Sequence, residues 1–203
     1  MLEWLSQNWY ITIVLFALLI IVLFALNKVS AGHNKLMEGR QSKLKKLHEL
    51  RNDFENMTEE AFDKAEDEYL LDGVALYYQL KLQKADDMNE AFTYLPEPAR
   101  YVYALNIFYF EGGVLSGFYR ANGEPLSPVL ADALRAIGEG ELAEIAEKLQ
   151  PMFDEENENA SIDYKFIKTL DENASKVYNE REFKLKTAAY IRKNKEVFFS
   201  ANN

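Results

Sequence analysis

The chain has no cysteine among its 203 residues and only two histidines, His33 and His48. No disulfide can form, and the absence of thiols fits a reducing compartment. Zinc is bound mainly by Cys and His, and both histidines precede the predicted globular domain, which therefore has neither ligand. The acidic run 154–158 lacks the spacing and the glycine of an EF-hand, so we interpret it as a linker. The sequence therefore predicts no metal site and no other cofactor.

Charge is absent from the run Trp9 to Leu26, WYITIVLFALLIIVLFAL. Its 18 residues rise about 27 Å as a helix, close to the ~30 Å hydrocarbon core of a bilayer. A cleaved signal peptide needs a basic start and a shorter apolar core, whereas residues 1–8 carry Glu3 and no Lys or Arg. The sequence therefore predicts an N-terminal tail and transmembrane helix in residues 1–27.

Cations lie on only one side of this run. The nearest ones are Lys28, Lys35, Arg40, Lys43, Lys45 and Lys46. Loops rich in Lys and Arg stay in the cytoplasm, so we expect the N-terminus outside and the following domain inside. Anionic headgroups attract such a segment, and we expect lipid contact through residues 4–51.

The net charge of −10 hides two opposed blocks. Residues 27–51 carry +5, whereas residues 52–203 carry −14, which disfavours direct binding to nucleic acid. The basic segment 28–57 is either a topology determinant alone or also a spacer between the membrane and the acidic domain. Within it, apolar residues step by three and four, which predicts a juxtamembrane helix with one apolar face. These residues are Leu47, Leu50, Phe54 and Met57.

Residues 58–203 predict a compact, acidic, all-α cytoplasmic domain, because helical periodicity has no competing strand pattern. Thr58 is expected to cap a helix that reaches about Lys84. Asp86-Asp87 and the pair Pro96/Pro98 predict a break in the helical pattern after it. The residues expected to face the core in the helices are Phe62, Ala65, Tyr69, Leu76, Leu80, Leu130, Leu134, Ile137, Leu142, Ile145, Leu149, Phe153, Phe166, Leu170, Ala174, Val177, Leu185, Ala188, Ala189 and Ile191.

An aromatic-rich stretch, Ala99 to Phe110, predicts the central buried helix of this domain. Gly112-Gly113 should end it, since glycine readily adopts the left-handed conformation that closes a helix. Ser127-Pro128 resembles an N-cap followed by a first-turn proline, and Gly138 resembles a C-terminal stop.

The segment 112–124, GGVLSGFYRANGE, follows the aromatic helix and precedes a helix that ends in Ile137-Gly138. This order resembles a family of small, acidic, all-helical bacterial proteins named after a DNA-mimic protein. The resemblance covers about residues 90–195. Its turn residues here are Gly112, Gly113, Phe118, Tyr119 and Gly123, whereas Glu111 and Val114 depart from the family's usual Asn and Phe. The resemblance implies a non-enzymatic helical bundle whose acidic surface, in the named member, competes with DNA for a basic DNA-binding protein.

Two rows of carboxylates recur at helical spacing and are the candidate partner-binding residues. They are Glu60, Asp63 and Asp67 in one row and Glu141, Glu144 and Glu147 in the other. Side chains three or four residues apart share a helix face at steps of ~5 Å, whereas phosphates follow every ~3.4 Å along one DNA strand. Such a row either imitates a phosphate backbone or is simply a solvated face.

Enzymatic function has the weakest support. Ser116 stands in a Leu-Ser-Gly-Phe context, but the sequence offers neither a preceding strand nor a base for it. We therefore expect a single-pass protein of the bacterial inner membrane whose acidic domain binds a basic protein partner. The alternative is a structural accessory subunit that binds through its transmembrane and juxtamembrane helices. The sequence leaves a homodimer open.

Overall fold

The computed structural model describes residues 49–153 and 163–200. The predicted transmembrane helix, both histidines, Leu47 and the acidic run 154–158 lie outside these ranges. The chain divides into two compact units, residues 1–49 and residues 50–203, and the helices described below belong to the second.

Every regular element in the described ranges is helical. Residues 50–55, at the start of the second unit, are helical. The further elements are α1 (Glu59–Lys64), α2 (Asp67–Leu82), α3 (Met88–Thr93), α4 (Glu97–Phe110), α5 (Leu115–Ala121), α6 (Val129–Ala136), α7 (Gly140–Leu149), a short 3-10 helix (Gln150–Met152), α8 (Tyr164–Val177), α9 (Glu180–Lys193) and α10 (Lys195–Ser200). The predicted all-α bundle is confirmed. No helix in the described ranges is both long and apolar enough to cross a bilayer.

Helix α4 lies at the centre of this unit, as its aromatic sequence predicts. It packs against both α2 and α6. The series continues outward, with α9 against α2, α7 against α6 and α8 against α7. Val102, Leu105 and Phe108 of α4 are fully buried. Gly112 and Gly113 follow with φ of 70° and 74°, so the predicted glycine stop is confirmed.

The prediction of one continuous helix from Thr58 to about Lys84 is wrong. Thr58 does cap α1, because its hydroxyl oxygen accepts from the Ala61 amide at 3.2 Å. The chain then leaves the helical conformation at Ala65, where ψ is 134°, and α2 begins at Asp67. Two helices therefore replace the one expected.

The buried face of α2 also differs from the prediction. Tyr69, Leu76 and Leu80 are only half-buried. The fully buried side chains are Leu70, Leu71, Val74, Tyr78 and Leu82. Because α2 lies between α4 and α9, more than one of its sides is covered, and a single apolar stripe does not identify the core positions.

Smaller differences occur at α3 and α6. The predicted break at Asp86-Asp87 is followed by α3, whose first amides are capped by the Asp87 carboxylate at 2.8 Å and 3.0 Å. Pro128, rather than Ser127, occupies the N-cap position of α6, and no side chain caps that helix. The predicted stop at Gly138 is confirmed by its φ of 82°.

In α8 and α9 the core faces are only partly those predicted. The prediction is confirmed for Leu170, Ala174, Ala188 and Ile191, whereas Phe166, Val177, Leu185 and Ala189 are exposed. The buried positions that the prediction missed are Ile167 in α8 and Phe183, Lys184 and Thr187 in α9. The burial of Lys184 and Thr187 explains the error in α9, since a pattern of apolar residues cannot indicate a polar core face.

Phe54 and Met57 belong to the core of the second unit, with exposed fractions of 1% and 6%. A Cβ added at Gly73 would lie 2.7 Å from the Phe54 ring, so this ring packs directly on the backbone of α2. The sequence assigns these two residues to the apolar face of a juxtamembrane helix. In the structure they pack within the second unit instead.

Candidate interaction surface

The carboxylates of the first acidic row are paired within the protein. Glu60 contacts Lys64 at 2.5 Å, and Asp63 contacts Lys195 at 2.8 Å through each of its oxygens. Asp67 accepts from the Arg192 Nε at 2.9 Å. Each negative charge in this row therefore has a cation beside it, which weakens its similarity to a bare phosphate backbone.

Arg192 explains both the pairing and the break between α1 and α2. Its two terminal nitrogens donate to the carbonyl oxygens of Phe62 at 3.2 Å and Ala65 at 2.6 Å. These carbonyls lie at the C-terminal end of α1, where a helix leaves its oxygens without internal partners and favours a cation. The guanidinium also lies 5.7 Å from the centre of the Phe62 ring. Asp67 is therefore part of a structural junction.

The second acidic row lies on the exposed side of α7. Leu142, Ala143, Ala146 and Leu149 are buried, whereas Glu141, Glu144 and Glu147 are exposed. Glu147 forms an ion pair with Arg135 of α6, which also contacts Asp132 at 3.1 Å. Arg135 donates a hydrogen bond to the Glu147 carboxylate, and this bond is the main cause that raises the pKa of Arg135.

Glu141 and Glu144 differ from the other four candidates because neither forms an ion pair with any residue in the described ranges. They lie three positions apart, so both side chains leave the helix on one face. The structure thus keeps two carboxylates of the predicted six available for a cationic partner.

The glycine turn is a packing feature. The amides of Gly112 and Gly113 donate to the carbonyls of Tyr109 at 3.0 Å and Phe108 at 3.1 Å, which closes the end of α4. A Cβ at Gly113 would lie 2.4 Å from the Tyr178 ring. Burial is the main cause that raises the pKa of Tyr178 to about 12.

The remaining family-turn residues do not join this turn in one site. Phe118 and Tyr119 are buried, and the Tyr119 ring stacks on Phe153 with centroids 6.2 Å apart. The Gly123 carbonyl accepts from the amides of Leu126 and Ser127 at 3.1 Å and 2.9 Å, forming a separate turn. These residues shape the fold on which the acidic face of α7 is presented.

Ser116 serves as a contact between α5 and α8. Its amide and hydroxyl donate to the two oxygens of Asp171, at 3.1 Å and 2.5 Å. The carboxylate thereby binds the first turn of α5, where free amides favour negative charge. Asp171 lies 55 positions after Ser116, and the sequence offers no signal that the two residues form a pair.

The sequence also missed a buried ion pair between α9 and α2. Lys184 Nζ lies 2.9 Å from Asp72 Oδ2, and the side chains are only 11% and 16% exposed. The same ammonium lies 4.8 Å from the centre of the Tyr109 ring. Burial lowers the pKa of Lys184, but the hydrogen bond and charge of Asp72 outweigh it, so the pKa is raised overall.

The described residues contain no group of three or more His, Asp or Glu side chains arranged to hold a metal ion. The predictions of a transmembrane helix, of lipid contact before residue 49 and of membrane topology concern residues outside the described ranges and stay predictions.

A family model described as DMP19-like protein matches residues 93–194, which is half of the chain. The match agrees with the resemblance seen over residues 90–195. It runs from the end of α3 to the residue after α9, so it contains the acidic face of α7 but not the paired carboxylates of α1 and α2. No curated protein and no solved structure matches the chain significantly.

Proposed function

The chain belongs to the DMP19-like family, a family of DNA mimics, and from this membership we propose that it is a non-enzymatic module that binds a basic protein partner. The partner's chemistry would be that of a nucleic-acid-binding protein, whose cationic surface is built to meet phosphate groups. The acidic domain would compete with nucleic acid for that surface.

The exposed pair Glu141 and Glu144 on α7 is the observation that carries this proposal. Both lie inside the family match, and neither is neutralised by another described residue. A carboxylate that already pairs with a cation in its own chain must lose that pair before it can bind a partner, which cancels much of the gain. The partner is therefore expected to contact α7 in preference to α1 and α2.

We further propose that residues 9–26 anchor this module in the bacterial inner membrane, with the N-terminus outside. The support is the uncharged run followed by six cations, which orients a single span with its basic flank in the cytoplasm. The partner would then be held or titrated at the membrane surface.

The first experiment uses the full-length chain in detergent, immobilised and exposed to native lysate at low salt. Bound protein is eluted with duplex DNA and identified by mass spectrometry. We expect a basic nucleic-acid-binding protein in the eluate. We expect Glu141→Lys with Glu144→Lys to reduce its capture at least tenfold, since like charges would then face each other.

The matched control is Glu55→Lys with Asp86→Lys, which changes the net charge equally at two other exposed positions. This variant should retain capture. Equal loss in both variants would show that net charge alone determines binding, and retention in both would show that the α7 face is not used. Either result contradicts the proposal.

Membrane topology has a separate test, because the chain has no cysteine and an introduced one is unique. In intact spheroplasts, a membrane-impermeant maleimide should label Ser6→Cys, whereas Asn203→Cys should react only after permeabilisation. The reverse pattern would contradict the orientation. Recovery of the unmodified chain in the soluble fraction would contradict the anchor.

A further inference from the structure

A cavity of about 320 Å³ opens beside the turn at Gly123, on a different part of the domain from α7. Its walls come from the end of α2, from α3, from the middle of α4 and from residues 121–126. At about 30 Å³ for each water in the liquid, the space equals roughly ten waters, at the small end of the range for ligand pockets.

The cavity has a mixed lining, of which one part is apolar and aromatic and the other part is polar. Leu82 and Phe92 are buried, and Tyr103 and Ile107 are half-buried beside them. The rings of Phe92 and Tyr103 lie 5.8 Å apart at an angle of 52°. Met88 also lines the cavity and is 46% exposed, and a flexible thioether there can adapt to different apolar surfaces. An aromatic or aliphatic group would replace water against these walls.

The polar side chains of the lining belong to Asn89, Tyr103, Asn122 and Glu124. Glu124 is its one charged residue, and it is exposed. Asn122 donates its amide nitrogen to the Phe118 carbonyl at 2.8 Å, which leaves the amide oxygen to accept. No Lys, Arg or His is among the residues that line the cavity. The lining therefore favours a cationic donor and repels an anion.

We propose that this cavity binds a small amine that carries an apolar group. The apolar part lies against Phe92 and Tyr103, and the ammonium lies beside Glu124. A ligand of nine or ten heavy atoms, such as a phenylalkylamine, fits the available space. This inference does not depend on the proposed partner of α7, because no residue of α6 or α7 lines the cavity.

The test compares three probes of nearly equal size: 2-phenylethylamine, 2-phenylethanol and 3-phenylpropionate. Each is titrated against the full-length chain in detergent and followed by the methyl NMR signal of Met88. We expect saturable binding of the amine at about millimolar affinity. The alcohol should bind about two- to fivefold more weakly than the amine, because the exposed Glu124 carboxylate adds only a modest attraction for the ammonium. The anionic 3-phenylpropionate should bind weakest. Added salt should reduce the difference between amine and alcohol.

Two variants make the result specific to this cavity. Glu124→Gln should equalise amine and alcohol without abolishing either, and Ala121→Phe should fill the cavity and abolish both. Ala189→Phe is the control, since Ala189 is also exposed on a helix but does not line the cavity. Thermal unfolding verifies that each variant is folded.

The proposal is overturned if the amine does not saturate. It is equally overturned if the three probes bind alike to the unmodified chain, or if Ala121→Phe and Ala189→Phe affect binding equally.

Discussion

Two independent features exclude a side chain at Gly113: its backbone conformation and an aromatic ring that packs against it. The φ of 74° is strained for any residue with a Cβ. The Tyr178 ring occupies the space where a Cβ would lie, and this ring contacts Phe108 and Phe183 with centroids 5.6 Å and 5.5 Å away. The sequence predicted the turn from its glycines. The ring was not predictable, because Tyr178 is 65 residues further along the chain.

Gly113→Ala is expected to destabilise the domain by about 2–4 kcal/mol, combining left-handed strain with displacement of the ring. Gly140→Ala is the matched control, since nothing lies within 4 Å of a Cβ there and its φ is not left-handed. The control should be neutral or gain up to about 1 kcal/mol. Urea unfolding measures both. Equal stability of the two variants would mean that Tyr178 does not occupy the site described.

Lys184 is the one lysine among the buried residues of the described ranges, and its pairing with Asp72 makes its burial tolerable. Lys184→Met leaves the Asp72 carboxylate without its cation and should cost about 3 kcal/mol, at the low end for buried pairs because both groups keep some exposure. The double variant with Asp72→Asn should recover at least half of that loss in urea unfolding. Lys193→Met, at an exposed position, should have little effect. Additive losses in the double variant would contradict the pairing.

At the scale of elements, the junction of α1 and α2 depends on a residue of α9. Arg192 binds the last carbonyls of α1 and the first carboxylate of α2. Local propensity cannot show this, because nothing between Thr58 and Lys84 except Gly73 interrupts the helical pattern. The break occurs because a guanidinium, brought there by tertiary packing, binds carbonyls that a continuous helix would have used internally.

Arg192→Lys is expected to keep the charge but lose the fork of hydrogen bonds, since an ammonium cannot reach two carbonyls and a carboxylate with the same geometry. The amides of residues 59–64 should exchange with deuterium faster, by about 10-fold or more for a loss of about 1–3 kcal/mol. Lys193→Ala should leave their exchange unchanged. Faster exchange throughout the domain, with none specific to α1, would contradict a local junction.

The faces of α8 and α9 show a second limit of sequence patterns at this scale. Leu185 is 48% exposed while its neighbour Lys184 is buried. A periodicity argument assigns the apolar residue to the core, and it is wrong here because Asp72 stabilises the buried ammonium. In α7 all the buried residues are apolar, and there the predicted core positions Leu142 and Leu149 are confirmed.

At the scale of the whole molecule, acidity and available charge are different quantities. Three of the six candidate carboxylates pair with cations of α1, α9 or α10, and Glu147 pairs with Arg135 of α6. The −14 of residues 52–203 predicts a basic partner only in general terms. The choice of Glu141 and Glu144 follows from which carboxylates the fold leaves without a cation.

The compact unit should require residues that precede Thr58. Phe54→Ala is expected to cost about 3–5 kcal/mol, because the ring is fully buried against Gly73. Phe110→Ala is the control, since that ring is 72% exposed and should matter by less than about 0.5 kcal/mol. Thermal and urea unfolding of the full-length chain measure both. Equal stability of the two variants would contradict the assignment of Phe54 to the core.

The sequence by itself determined the helical class, the central helix ending at Gly112-Gly113, the family and the acidic character of the domain. The class, the central helix and the acidity follow from local periodicity, local turn chemistry and composition, which need no knowledge of neighbours. The family follows from the match of residues 93–194 to the family model. Only the tertiary structure decided that α1 and α2 separate, that Lys184 is buried and that Glu141 and Glu144 remain unpaired among the described residues. The first two depend on contacts between residues that lie 112 to 130 positions apart along the chain. Packing alone brings those groups together.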